Sequence, residues 1–342
     1  MPGYYNMKQT EEYQTTIPIV DINYEEYDPK NIDVWDAYIP INDEKQRATD
    51  AILDAKNPYL IESEKGQGKT LLIYTICKEN NIALIEEQVG RGTRITDLFG
   101  NKEINRDGTL FNLGIFPKAI EVANHFGHAC LYCDEGNTQE PEIQKLWNRI
   151  CDGRKSTFAN GKNYKLNPGS KLSIVWTTNP VTYTGINSMP EDLRSRFIGD
   201  IWDYPTNRQI KKVIDISKFI QTNKVVKGED FVMMEPVSQH CSESVFTEEF
   251  EEYLLTFVQD IHALRMKGDV EYSLSIRDIK QFCEYLQDQI KANGIPSDQL
   301  FNKWKKKLLE KAINQIILFK FEDPSERELV KIRANDTFGV KL

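Results

Sequence analysis

Long apolar runs are missing from this 342-residue chain. No stretch approaches the roughly 20 residues a helix needs to cross a bilayer, and residues 1–13 carry no apolar signal region. Surplus positive charge is missing as well: 43 Lys and Arg face 52 Asp and Glu, for a net charge of −9. Broad, sequence-independent grip on nucleic acid comes from neutralising phosphates, so an acidic chain is poorly suited to it; only a basic pore in an acidic ring would escape this argument. The four histidines, His125, His128, His240 and His262, have no metal-ligand spacing. Of six cysteines only Cys130 and Cys133 lie close together. With no second close pair, they read as small residues of a buried strand rather than half a zinc site or a redox pair. These absences point to a cytoplasmic protein in reducing surroundings.

What is present is the balance of an ordinary globular chain, 40% hydrophobic and 28% charged, at a length for which two domains are expected. Residues 1–36 are rich in Tyr, Asp and Glu with little periodicity and read as an extended arm or partly disordered tail, a solvated tail being favoured over a docking role. Helical periodicity covers 43–55, 71–78, 117–125 and 142–151. Short apolar strands cover 59–61, 82–85, 129–133 and 172–176. Asn160-Gly161 marks a hairpin, because that dipeptide favours a type I′ turn. Short buried strands alternating with helices indicate an α/β fold with a parallel sheet and helices on both faces. From about residue 240 only helices are expected, over 248–266, 276–292, 297–317 and 326–334, the last with a Ser325–Glu328 capping box. The organisation expected is an arm over 1–36, an α/β domain over 37–225 and a small all-α domain over 226–342, the boundary falling within 205–245.

Chemistry concentrates between strand 59–61 and helix 71–78, in Ser63-Glu64-Lys65-Gly66-Gln67-Gly68-Lys69-Thr70 followed by Leu71. A triphosphate needs backbone N–H groups curled around it and the positive end of a helix. Gly66 and Gly68 allow close backbone approach, Lys69 can reach the β- and γ-phosphates, and the Thr70 hydroxyl can ligate Mg²⁺. Ser63 stands where the full pattern has Gly. Further on, strand 129–133 ends in Asp134-Glu135. Asp134 is suited to the Mg²⁺ shell, and Glu135 to polarising the attacking water. Strand 172–176 runs into Thr177-Thr178-Asn179-Pro180, which puts Asn179 at a strand tip where it could orient that water. Arg194 and Arg196 follow, two arginines that are either a solvated face or charges for a neighbouring subunit's phosphates.

The ordered set resembles the AAA+ ATPases, and within them the MoxR family (MoxR/CbbQ-like). The stretches that carry the resemblance are Asp97-Leu98-Phe99-Gly100 with Phe111 and Gly114, Asp134-Glu135-Gly136-Asn137, and Asn179-Pro180 with Tyr183 and Gly185. Met189-Pro190-Glu191-Asp192-Leu193, Arg196-Phe197 and Leu274-Ser275-Ile276-Arg277 complete the series. The resemblance implies a P-loop NTPase core followed by a helical lid, with ATP and Mg²⁺ as cofactors. The nucleotide would be bound by the loop from Glu64 to Leu71 and by Arg277 of the lid. Thr70 and Asp134 would hold the metal, Glu135 would be the catalytic base, and Asn179 the first sensor. Arg196, with Arg194 as the competitor, would be the arginine finger in trans. The hairpin at Asn160-Gly161 and the segment over 101–109 would face the pore or a partner.

It also implies a homo-oligomer, a hexameric ring, acting on a client or adaptor protein that can carry a von Willebrand factor A domain. Two other readings stand beside it. One is a ring nucleic-acid motor, a helicase or McrB-like GTPase, which the acidic balance disfavours. The other is a nucleotide-gated assembly protein, disfavoured by the presence of Glu135 and Asn179. The lysines 303, 305, 306, 307 and 311 read as a solvated helix face with Trp304, Leu308 and Leu309 turned inward, rather than as a nucleic-acid patch.

Overall fold

The computed structural model describes residues 17–36, 38–40, 42–106, 108–180, 186–217, 226–227, 232–233, 245–293 and 298–342. Tyr183 and Gly185, which support the family resemblance, and Cys241 and His240 lie outside the described residues. Helix α1 (Glu44–Asp54) leads into strand β1 (Tyr59–Ser63), followed by α2 (Lys69–Glu79) and β2 (Ala83–Gln88). A short α3 (Ile95–Phe99) and the hairpin β3 (Gly100–Asn105) and β4 (Gly108–Leu113) precede α4 (Ile115–Phe126) and β5 (His128–Asp134). Next come α5 (Pro141–Leu146), α6 (Asn148–Cys151), the hairpin β6 (Thr157–Ala159) and β7 (Lys162–Tyr164), and β8 (Lys171–Thr178). Then follow α7 (Glu191–Arg194), β9 (Ile198–Trp202) and α8 (Asn207–Ser217). After a two-residue ladder, β10 (Val226–Lys227) with β11 (Val232–Met233), the chain is helical: α9 (Glu248–Lys267), α10 (Ile276–Asn293), α11 (Asp298–Ala312) and α12 (Pro324–Phe338).

Five strands form one sheet in the order β2-β5-β8-β1-β9. β2, β5 and β8 run parallel, with Ala83 opposite Ala129 and Ala129 opposite Leu172. Parallel strands at the centre of a sheet, with a glycine-rich loop between β1 and the helix that follows, give the α/β architecture that the sequence implied. The side-chain alternation of a strand then assigns the faces. Ala129, Leu131 and Cys133 of β5 join Leu172, Ile174 and Trp176 of β8 in the core under α4, where Phe116, Ala119, Ile120 and Ala123 are fully buried. The residues between them point the other way: Ser173 donates to the carbonyl of Ile52 in α1 at 2.6 Å, and Cys130 stands beside Cys77 of α2. Cys130 and Cys133, an odd number of residues apart, therefore lie on opposite faces of the sheet, and burial pushes the Cys133 thiol well up. This geometry removes the redox-pair reading.

The chain divides into two compact units. One comprises Met1–Asp33, Ala48–Ile61 and Ile76–Gly199; the other comprises Val34–Arg47, Glu62–Thr75 and Asp200–Leu342. In the first, the N-terminal segment is docked on the fold. Ile19 bridges Phe111, the Val20 N–H donates to the Phe111 carbonyl at 3.0 Å, and Phe111 returns a bond to Pro18 at 2.8 Å. Ile17, Ile19, Ile22, Tyr24 and Tyr27 pack against the core, and Tyr24 stacks on His125 at 3.9 Å. In the second unit, the core is built from α8 to α12, with Phe257, Ile261, Phe282 and Phe321 almost wholly buried. Leu308 and Leu309 are buried there and Trp304 packs beside them, as the lysine-rich pattern of α11 implied.

Two local expectations are corrected. The helix expected over 142–151 is two short helices joined at Trp147, whose backbone N–H reaches the Gln144 carbonyl in a tightened turn. The indole explains the joint: its Nε1 donates to Gln139 Oε1 at 3.1 Å, and its ring meets Phe116 and Trp176 edge-on at 4.9 Å each. The last helix starts earlier than expected and is capped by Asp323, whose carboxylate accepts from Ser325 N and Glu326 N ahead of Pro324 at the first turn. Ser325 and Glu328 therefore sit inside that helix.

Candidate functional site

In the second unit, β1 passes into the glycine-rich loop. Gly66 and Gly68 take φ of 76° and 85°, left-handed values that other residues reach only with strain. Lys69 opens α2 and is buried, its Nζ donating to Ser63 O at 2.8 Å, Ser63 Oγ at 3.1 Å and Glu64 O at 3.1 Å. Ser63, the departure from the usual pattern, thus supplies a hydroxyl partner to the loop lysine. Gln67 is buried with its Nε2 unpartnered, a donor that a ligand oxygen would satisfy. Left-handed glycines, a buried ammonium and an orphan donor at a helix N-terminus fit a phosphate chain. Lys65 is exposed, and Thr70 and Leu71 are half-buried in the first turn of α2.

The same unit brings the segment before α10 against this loop. Ser275 caps α10 in a reciprocal box: Ser275 N donates to Asp278 Oδ2 at 2.8 Å, and Asp278 N donates to Ser275 Oγ at 3.3 Å. A Cβ on Gly66 would stand 2.3 Å from Ser275 Oγ, so the loop can pass this cap only as glycine. The Arg277 N–H donates to the Gly66 carbonyl at 3.2 Å, which fixes where the exposed Arg277 side chain begins. Glu64 pairs with Arg265 of α9 and accepts from Ser273 Oγ at 3.1 Å. Its carboxylate ties the loop to the helical segment. Tyr38 lies over Gly68, 3.4 Å from where a Cβ would be, and its hydroxyl donates to Glu44 at 2.9 Å.

In the first unit, the acidic pair stands at the end of β5. Asp134 Oδ1 collects three donors: Tyr132 OH at 2.8 Å, Thr177 Oγ1 at 2.5 Å and the Glu135 N–H at 3.1 Å. Glu135 turns the chain in a left-handed conformation (φ 48°, ψ 43°), which costs a non-glycine residue about 1–2 kcal/mol. Its Oε1 accepts from Asn179 Nδ2 at 2.8 Å. Asn137 in turn donates to the Asn179 carbonyl at 2.9 Å, and Gly136 sits so close to the Trp176 ring that a Cβ would reach 2.3 Å from it. The structure therefore brings Asp134, Glu135 and Asn179 into one hydrogen-bonded cluster. Arg194 and Arg196 are both exposed, and Arg196 Nε donates to Asn148 Oδ1 at 2.8 Å. Among the described residues no three His, Cys, Asp or Glu side chains gather as a metal-binding group.

Sequence reasoning missed Tyr132, Thr177 and Arg265. A signal existed for Tyr132: it is a polar hydroxyl two residues before Asp134, on the same face of an otherwise apolar strand. Thr177 and Arg265 act across long separations in the chain, for which periodicity offers no signal.

No known family profile matches the chain. It is similar to uncharacterized proteins of Staphylococcus aureus: 23% identical over 285 residues to one from strain NCTC 8325 / PS 47, and 24% over 288 residues to one from strain bovine RF122 / ET3-1. Each alignment covers 82% of this chain and 90% of the relative. A solved structure from Cytophaga hutchinsonii ATCC 33406, named a "putative ATPase", is 16% identical and covers 85% of this chain and 88% of that one, with a TM-score of 0.40.

Proposed function

We propose that the chain is an ATPase of the MoxR type within the AAA+ class, hydrolysing ATP at the subunit interfaces of a hexameric ring to remodel, activate or assemble a partner protein. The observation that carries the reading is the hydrogen bond from Asn179 to Glu135, an amide fixing a carboxylate held in strained backbone at a strand end. In this reading the loop from Glu64 to Leu71 binds the phosphates through its backbone N–H groups and Lys69, and Arg277 reads them from the helical segment. Thr70 and Asp134 hold Mg²⁺, which supplies charge neutralisation on the phosphate oxygens. Glu135 accepts the proton of the attacking water, with Asn179 holding its carboxylate in the accepting orientation. Arg196 is the preferred arginine finger in trans, since Asn148 already restrains it. A client or adaptor with a von Willebrand factor A domain is the partner this reading favours, and the cytoplasm its setting.

Phosphate release measured against protein concentration tests the proposal. Wild-type specific activity is expected to rise with assembly. Glu135→Gln and Arg196→Ala should each lose about 100-fold or more, and mixing the two should restore activity at hybrid interfaces. Full activity of Glu135→Gln would refute the base assignment, and full activity of Arg196→Ala the assignment in trans.

A further inference from the structure

The first unit carries a group of cations of which the reading above uses Arg196 and leaves Arg149 and Arg154 without a role. A shallow basin of about 380 Å³ is lined by Asn148, Arg149, Asp152, Arg154, Ser156 and Arg196. Three guanidiniums face one carboxylate there. Two of them are restrained by one edge: Arg196 Nε on Asn148 Oδ1 at 2.8 Å, and Arg154 on Asp152 Oδ2 through Nε at 3.1 Å and Nη2 at 2.7 Å. Asn148 is itself held, its Nδ2 donating to Asp192 Oδ2 at 2.5 Å. Arg149 makes no hydrogen bond or ion pair among the described residues. Arg194 does not line the basin.

Exposed like charges repel, and a basin that gathers three arginines is least unfavourable when an anion lies in it. A carboxylate carries one charge and meets one planar fork. A phosphoryl group carries more charge and offers more oxygens, and so matches several guanidiniums at once. We propose that this basin is a phosphoryl-oxyanion site in which Arg149 and Arg154 bind together with Arg196. The phosphoryl oxygens come either from a free phosphate chain or from the nucleotide of a second copy of the chain. The second source rests on the ATPase reading; affinity for phosphoryl oxygen does not.

Inorganic tripolyphosphate is the probe, titrated calorimetrically into the full chain carrying Lys69→Ala, which weakens the phosphate loop as a competing site. Arg149→Ala and Arg154→Ala in that background are each expected to weaken binding about tenfold, the loss of one charge-assisted contact. Lys145→Ala, an exposed cation on α5 outside the basin, should leave it unchanged. Both arginines are at the surface, and unchanged melting curves confirm folding. Tripolyphosphate binding that is absent from the Lys69→Ala chain, or that is as tight in the Arg149→Ala and Arg154→Ala chains as in that parent, overturns the site. Weakening by Lys145→Ala to the same degree overturns it too, as diffuse attraction only. With Lys69 intact, ATP hydrolysis by Arg149→Ala then separates the sources. Hydrolysis lowered and restored by mixing with Glu135→Gln places a second copy's nucleotide in the basin. Hydrolysis unchanged, with tripolyphosphate binding still lost, assigns it to a free phosphate chain.

Discussion

Replacing Tyr132 by Phe removes one oxygen atom and leaves the ring, so it isolates the hydroxyl that donates to Asp134. That hydroxyl is fully buried on the strand face opposite α4 and is one of three donors on Asp134 Oδ1. A hydrogen bond to a charged group is worth about 1.5–3 kcal/mol, and here two donors remain, which argues for about 1.5 kcal/mol. Thr177→Val should cost more, about 2–3 kcal/mol, because the Thr177 hydroxyl both donates to Asp134 at 2.5 Å and accepts from the Glu135 N–H at 3.2 Å. The two changes share an acceptor, so the double variant should lose less than the sum of the singles. Urea unfolding followed by far-UV circular dichroism and tryptophan fluorescence reads all three, the buried Trp147 and Trp176 reporting on this unit. A loss under about 0.5 kcal/mol for Tyr132→Phe, or strict additivity of the pair, would show that the network is geometry without energetic weight.

Three further outcomes follow from the same physics. Burial, with Lys171 and Lys155 nearby, lowers His128 to about 4. The unfolded chain takes up the proton near the ordinary value of 6.5 and the folded one does not. Stability should therefore fall as pH drops from 6.5 to about 4, by about 1–2 kcal/mol once solvent screening of the half-buried ring is allowed for; His128→Gln should flatten that slope in urea titrations at several pH values. Gly66→Ala forces a Cβ to 2.3 Å from Ser275 Oγ at φ 76°, and affinity for a fluorescent ATP analogue should drop on the order of tenfold; binding within a factor of about two would refute the close packing of loop and cap. Asp323→Ala should cost about 1 kcal/mol of stability while Ser325→Ala costs little, since Asp323 holds the cap. The reverse order in thermal melts would restore the sequence-based capping box.

The legible parts of this molecule were those in which chemistry is local. Gly66, Gly68 and Lys69 announce a phosphate loop within a few residues, and apolar alternation through Leu131 and Cys133 marks the strand that ends at Asp134. What could not be read were meetings between distant residues. Nothing near Asn148 in the chain announces Arg196, and nothing near Glu64 announces Arg265. Trp147 shows the limit for local structure as well: helical periodicity runs through it, yet the indole's need for Gln139 and two aromatic neighbours splits the helix in two. At the last helix the Ser325–Glu328 box was expected, whereas Asp323 caps it and Pro324 takes the first turn, a position to which proline is suited.

The docked segment around Ile19 has a consequence in time rather than space. A ribosome makes residues 17–20 before either of their partners: Phe111 comes much later, and Asn160, whose side chain donates to the Ile17 carbonyl at 2.7 Å, is separated from it by 143 residues. The segment must wait, extended and rich in isoleucine, while the sheet forms behind it. Once docked, it closes an edge of β4 that would otherwise be open to pairing with another nascent chain.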